Sequence, residues 1–239
     1  MLNVQRLGRD EFERIMKRRR IRTCIFIVFI IMLFIYVVGV KSYEYAVNKS
    51  YCKYLINMDS GNYDIEKLRE KKVSLEKQID IKNIDYKLGN DIEVGNKPKT
   101  LIIHHTAANG LTPDNINEDH KSKGYGGIGY HFYIRKDGSI YRGRPEDYIG
   151  AHTIGRNYDS IGICVEGNFE DDVLPTEEER SLILLSADMV IKYNISDIIG
   201  HRDAYQTLCP GENISIEDIK EKVKEEILKM DNEYKPVSY

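Results

Sequence analysis

The feature that most restricts this chain is an unbroken apolar run from Cys24 to Val40, CIFIVFIIMLFIYVVGV. Its 17 residues carry no charge. As a helix, at about 1.5 Å per residue, it covers about 25 Å, the short end of what crosses a bilayer. Ile21 and Arg22 extend it, because arginine lays its methylenes along apolar surface while its head stays wet. Every face is apolar and a basic cluster abuts it, which argues against a buried core helix. Lys17, Arg18, Arg19, Arg20 and Arg22 flank the N-terminal side. The positive-inside rule then puts residues 1–22 in the cytoplasm and the chain beyond Val40 outside. The rival reading is a cleaved signal peptide, whose apolar core runs about 7–15 residues before a small-residue site. This run is longer, and KSYEYAVNKSY after it offers no such site. The expectation is a single-pass cell-membrane protein: basic tail 1–22, transmembrane helix 23–40, remainder extracytoplasmic.

The net charge of −3 hides a split. Residues 1–22 hold eight Lys/Arg and three Asp/Glu, a local +5, so the remainder carries −8. A nucleic-acid binder shows the opposite balance in its globular part. At 239 residues the chain has room for one or two domains. The four cysteines, Cys24, Cys52, Cys164 and Cys209, are too scattered for a disulfide framework.

Residues 41–98 are rich in Lys, Asp, Asn and Tyr and read as a polar stalk. Within them Ile65–Gln78 has a weak helical stripe of Ile65, Leu68, Val73 and Leu75, with a solvated spacer as the preferred reading. Asn90-Asp91 and Gly95-Asn96 read as turns. From Lys99 the character changes. Thr100–His104, Gly129–Lys136, Ser139–Arg142, Ser160–Glu166 and Ile198-Ile199 are strand candidates, with Asp137-Gly138 as a hairpin turn. A helix is expected from an N-cap at Thr176, boxed by Glu179, to about Tyr193, with Leu182, Leu185 and Met189 on one face. Ser215 caps another, striped by Ile216, Ile219, Val223 and Ile227. A weaker helix lies within Thr112–Lys123. Strands mixed with helices predict one α/β layer structure over 99–230, with a tail, 231–239, after it.

Six histidines are present: His104, His105, His120, His131, His152 and His201. Zinc favours imidazole and thiolate, with three protein ligands in catalytic sites. A His at one strand end, plus a His and a Cys flanking a loop, would supply three. No C-x-x-C pair exists, which excludes a zinc-finger reading. Spacing alone leaves the alternative of satisfied structural histidines open.

The motifs IIHHTA, GGIGYHFYIRKDGSIYRGRPE, GAHT, NYDSIGICVEGNF and GHRDAYQTLCPG occur in this order along the chain. Together they resemble the type 2 N-acetylmuramoyl-L-alanine amidases, which are similar to phage T7 lysozyme and the peptidoglycan recognition proteins. The resemblance covers roughly residues 99–230. It implies a mixed central β-sheet flanked by helices, and Zn²⁺ held by His104, His201 and Cys209. It implies catalytic assistance from Tyr130 and a contact from Thr207 to the reacting group, that position being lysine in the phage enzyme. It implies hydrolysis of the amide between N-acetylmuramic acid and L-alanine, with peptidoglycan or a muropeptide as partner and no nucleic acid. A related amidase group carries a catalytic glutamate where this chain has Cys164, so that general base is missing. Glu166, two residues on, reads as a structural carboxylate. The alternatives are a non-catalytic muropeptide receptor of the same fold, or a structural anchor docked on wall or partner.

Other residues divide by position. His105 and His131 read as structural, since adjacent strand residues face opposite ways. His152, on a loop, is a candidate substrate contact, and Asn168 and Arg144 are candidate groove residues. His120 reads as solvent-exposed, and most of the 17 tyrosines as strand packing. Stem-peptide preference, physiological role and oligomeric state are not encoded in these motifs.

Overall fold

A computed structural model of the chain describes residues 9–49, 54, 65–89 and 92–229. It divides into two units, residues 1–50 and 51–239. Cys52, Asn90, Asp91 and the tail 231–239 lie outside the described residues.

The first unit is one helix, α1 (Arg9–Lys49). Within it the 24 residues Met16–Gly39 are long and apolar enough to cross a membrane, and none of that stretch is buried. Phe26, Phe34 and Tyr36 are each about two-thirds exposed. Among the described residues of this unit, nothing covers the apolar run.

The second unit holds α2 (Ile65–Gln78), β1 (Ile81–Asn83), β2 (Thr100–His105), α3 (Pro113–Ser122), β3 (Phe132–Ile134), β4 (Ile140–Arg142), β5 (Ser160–Val165), α4 (Thr176–Tyr193), β6 (Asp197–Gly200), α5 (His201–Ala204) and α6 (Ile216–Leu228). The six strands form one mixed sheet in the order β1-β4-β3-β5-β2-β6. Only the β3–β4 hairpin pairs antiparallel. Its turn works because Gly138 takes φ 80° and Asp137 Oδ1 accepts from the Ser139 amide at 2.9 Å. In the centre, His104 pairs with Cys164 across β2 and β5.

Strand alternation sends Leu101, Ile103, Ile161, Ile163 and Val165 into an apolar cluster with Leu182, Leu185 and Met189 of α4 and Ile219, Val223 and Ile227 of α6. Fully burying each such side chain contributes about 1.5–3 kcal/mol. Ser215 caps α6 as expected, accepting from the Asp218 amide at 3.2 Å. Thr112 caps α3 in a reciprocal box with Asn115. The cap of α4 shifts by one residue: Pro175 holds the cap position without a side-chain hydrogen bond, and Thr176 is the first helical residue.

The larger difference concerns residues 41–98. Part of the expected stalk is folded into the domain. Leu68 and Leu75 of α2 are buried in the same core as α4, and Lys71 pairs with Glu226 of α6 at 2.7 Å. β1 extends the sheet beside β4, and the Tyr54 hydroxyl donates to the Lys220 carbonyl at 2.8 Å. Charged residues outnumber apolar ones along α2, which makes its stripe weak in sequence, yet two leucines seven residues apart suffice to seat a short helix.

Candidate metal centre

Three segments converge at one end of the sheet. His104 comes from the end of β2, His201 opens α5 after β6, and Cys209 lies on the loop after α5. One ligand atom from each, two imidazole nitrogens and a thiol sulfur, lie within 4.8 Å of one another. The His104 and His201 ring centroids are 4.5 Å apart. The His104 nitrogen facing Cys209 is Nδ1, 3.7 Å from Sγ. Arg202 fastens the cysteine loop by donating to the carbonyls of Gly211 (2.6 Å) and Ile214 (2.8 Å). The Thr207 hydroxyl accepts from the Cys209 amide at 3.2 Å, and the His105 amide donates to the Cys209 sulfur at 3.4 Å.

The electrostatics suit a cation. Burial holds His104 well below the usual imidazole range, assisted by His201, and burial lowers His201 too. Both are therefore neutral near pH 7 with a lone pair to offer. Burial pushes the Cys209 thiol up to about 12, against the pull of the His105 amide and Arg202. A thiolate here needs a cation beside it. Two neutral imidazoles and one thiol are a donor set that zinc favours over magnesium or calcium.

Tyr130 packs its ring 5.1 Å from His104. Burial, then the neighbouring cysteines, raise this phenol well above its ordinary value, so it stays a proton donor. Tyr130 lies just before β3, where strand-like hydrogen bonds already hold it: its carbonyl accepts from Arg144 N at 2.8 Å. His131, buried beside it, is structural as expected. Its Nδ1 accepts from the Gly162 amide at 3.0 Å, so Nε2 donates to the Tyr148 carbonyl at 3.1 Å.

Three expectations change, those for Arg144, His152 and His120. Arg144 is 3% exposed and donates to the carbonyls of Ile128, Ile149, Tyr125 and Gly127, so it ties a loop together and has no surface to offer a substrate. His152 is buried behind His104, its Nδ1 3.1 Å from His104 Nε2, and so touches the metal-facing side chain and not the groove. Asn168, partly exposed, builds a turn, donating to Asp171 Oδ2 at 2.8 Å while its Oδ1 accepts from Glu170 N at 3.4 Å, which leaves its groove reading as it stood. His120 is buried, accepts from the Gly129 amide at 2.8 Å and lies 5.1 Å from the Tyr130 ring. Each rests on an interaction that spacing does not reveal, although glycine inside a strand, at Gly162, is a sign that something approaches closely. Glu166 keeps its structural reading: buried, ion-paired to Arg135 at 2.8 Å and accepting from the Gly110 amide at 2.9 Å.

Residues 94–212 match the family model described as N-acetylmuramoyl-L-alanine amidase. An endolysin of Klebsiella phage KP32 is 32% identical over 122 residues, 46% of this chain and 79% of the phage protein. Peptidoglycan-recognition protein SC2 of Drosophila melanogaster is 36% identical over 125 residues, 47% of this chain and 68% of that one. Among solved structures, an endolysin N-acetylmuramoyl-L-alanine amidase from Clostridium intestinale matches with a TM-score of 0.60 and 45% identity, covering 61% of this chain and 95% of that one.

Proposed function

The chain belongs to the N-acetylmuramoyl-L-alanine amidase family, and on that footing we propose that it is a zinc hydrolase cleaving the bond between N-acetylmuramic acid and L-alanine of peptidoglycan. The observation that carries this reading is the convergence of His104, His201 and Cys209 at one point. Zinc bound by these three supplies Lewis acidity toward the scissile carbonyl and toward water. The remaining work belongs to the chain's own groups. His104, buried, and His201, partly buried, stay neutral because loss of solvent disfavours their charged forms. The Cys209 thiolate lowers the net charge of the centre relative to three imidazoles, so donors around the substrate matter more. Tyr130 is one: its protonated hydroxyl is a donor for the oxygen that gathers charge as the carbonyl is attacked. Thr207, held against the Cys209 amide, is the second. No carboxylate takes the place of Cys164, so the leaving amine gains its proton by way of water.

We also read α1 as the anchor, from its 24-residue apolar stretch and the basic residues before it. The catalytic unit then works on the outer side, within reach of the wall.

The test is incubation of the full-length chain, in detergent micelles, with purified peptidoglycan and one equivalent of zinc. New L-alanine amino ends are expected, lost on chelation and restored by zinc. Binding to the wall without release of amino ends would sink the hydrolase reading in favour of a receptor. Tyr130→Phe is expected to slow hydrolysis by about 10²–10³-fold, the usual effect of removing one such donor, with zinc content unchanged.

A further inference from the structure

His104 has two nitrogens with separate partners: Nδ1 faces Cys209 at 3.7 Å, and Nε2 faces His152 Nδ1 at 3.1 Å. The two rings meet edge-on, centroids 5.1 Å apart at 85°. Glycines on two sides make room for the His152 ring. A Cβ on Gly162 would lie 2.6 Å from its Cγ, and one on Gly150 would lie 2.5 Å from its Cδ2. Asn157 Oδ1 accepts from the amides of His152 and Thr153, both at 2.8 Å, and so fixes the loop. This is a built seat for an imidazole.

Hydrogen-bond polarity runs through that seat in one direction. The Ser160 hydroxyl donates to the Arg156 carbonyl at 2.6 Å, which leaves its oxygen as an acceptor toward His152 Nε2 at 3.4 Å. His152 then carries its proton on Nε2 and offers the Nδ1 lone pair to His104. His104 must answer with a proton on Nε2, and its Nδ1 is left bare on the side of Cys209. Thr153 Oγ1, 3.1 Å from His152 Nδ1 and 3.4 Å from His104 Nε2, sits beside this contact and is able to join it.

We propose that His152 is a positioning residue: the chain from the Arg156 carbonyl through Ser160 and His152 selects the His104 tautomer whose Nδ1 is free to bind metal. The proposal rests on the zinc reading above. An outer acceptor that fixes a ligand histidine typically changes metal affinity by about 10–100-fold.

The experiment measures zinc affinity of the full-length chain in micelles against a chromophoric chelator, with metal-free melting temperatures recorded in parallel. His152→Leu is expected to weaken zinc binding by about 10–100-fold. His152→Asn, whose Oδ1 takes the place of the ring Nδ1, is expected to recover most of that loss. Nitrogen-15 NMR of the zinc-loaded parent is expected to show the His104 proton on Nε2. A merely structural role would lower the metal-free melting temperature of both variants alike and leave the affinity of the folded protein unchanged. The proposal is overturned if folded His152→Leu binds zinc like the parent, or if His152→Asn is as weak as His152→Leu. Should the leucine variant not fold, Ser160→Ala reads the same chain: a smaller loss in the same direction supports it, and unchanged affinity refutes it. A parent protein that takes up no zinc would instead bring down the zinc reading itself.

Discussion

The two faces of the central sheet are made from the same strands and have opposite chemistry. On one face Leu101, Ile103, Ile161, Ile163 and Val165 meet helices α4 and α6 in an apolar layer. On the other, Ser160, Gly162 and Cys164 of β5 and His104 of β2 gather with His131, His152 and Tyr130, all but Tyr130 fully or nearly buried. The first face stabilises by area removed from water. The second holds polar groups that must each find a partner, because an unpaired buried donor or acceptor costs about 1–3 kcal/mol. Where the partners line up in one direction, as from Arg156 to His104, the layer also fixes tautomers. Stability and chemistry are thus separated by a single strand's thickness, and substitutions should separate them too.

The largest effect is expected from the polar face. Cys209→Ala should abolish zinc retention and hydrolysis, read by metal analysis and by release of L-alanine amino ends. The metal-free domain should change in stability by no more than about 1 kcal/mol, because Cys209 sits on a loop outside the apolar layer. A variant that keeps stoichiometric zinc and full activity would remove the thiol from the ligand set. One that unfolds would show that the two faces are not separable.

The apolar face is tested by shortening it. A chain beginning at residue 99 lacks α2 and β1, and so withdraws Leu68 and Leu75 from the core and unpairs Glu226 from Lys71. Two leucines at about 1.5–3 kcal/mol each predict a loss of about 3–6 kcal/mol, a large part of a domain's margin. The chain has no tryptophan, so urea unfolding monitored by tyrosine circular dichroism is the suitable measure. A shortened chain as stable as one beginning at residue 51 would return residues 65–98 to the role of spacer.

That boundary marks how far the sequence could be read. The central strands, the hairpin at Asp137-Gly138 and the Ser215 cap were legible because each is a local pattern: apolar alternation, a turn pair, a capping hydroxyl. The metal ligands were legible only through the family motifs, since spacing by itself left structural histidines as an open reading. What stayed hidden is what depends on a partner distant in sequence. Lys71 reads as a solvated charge until Glu226, 155 residues later, is placed beside it. Arg144 reads as a groove residue until four loop carbonyls close over it. His152, on a loop, reads as a substrate contact and His120, on a polar helix, as exposed, and only the folded chain shows what covers them.

The smallest expected effect tests a carboxylate on helix α4, which packs against the apolar side. Glu178 of α4 is fully buried; one oxygen accepts from the Glu166 amide at 2.6 Å, and the other has no hydrogen-bond partner among the described residues. Burial raises it from the usual 4.5 to about 8, with Glu166 and Asp137 adding repulsion and Lys136 and the Glu166 amide opposing. Linkage gives the sign. Below about 4.5 both folded and unfolded chains carry the proton and nothing is lost. As pH rises from there toward 8 the unfolded chain gives up its proton while the folded chain must keep it, so stability falls across that window. Glu178→Gln keeps an acceptor for the Glu166 amide and removes the titration. Its stability should match the parent near pH 4.5 and exceed it by roughly 1–3 kcal/mol at pH 8, with zinc affinity unchanged. Paired urea titrations at the two pH values decide it: an equal offset at both would mean that this carboxyl ionises freely, and that the apolar face tolerates a charge which its burial says it should reject.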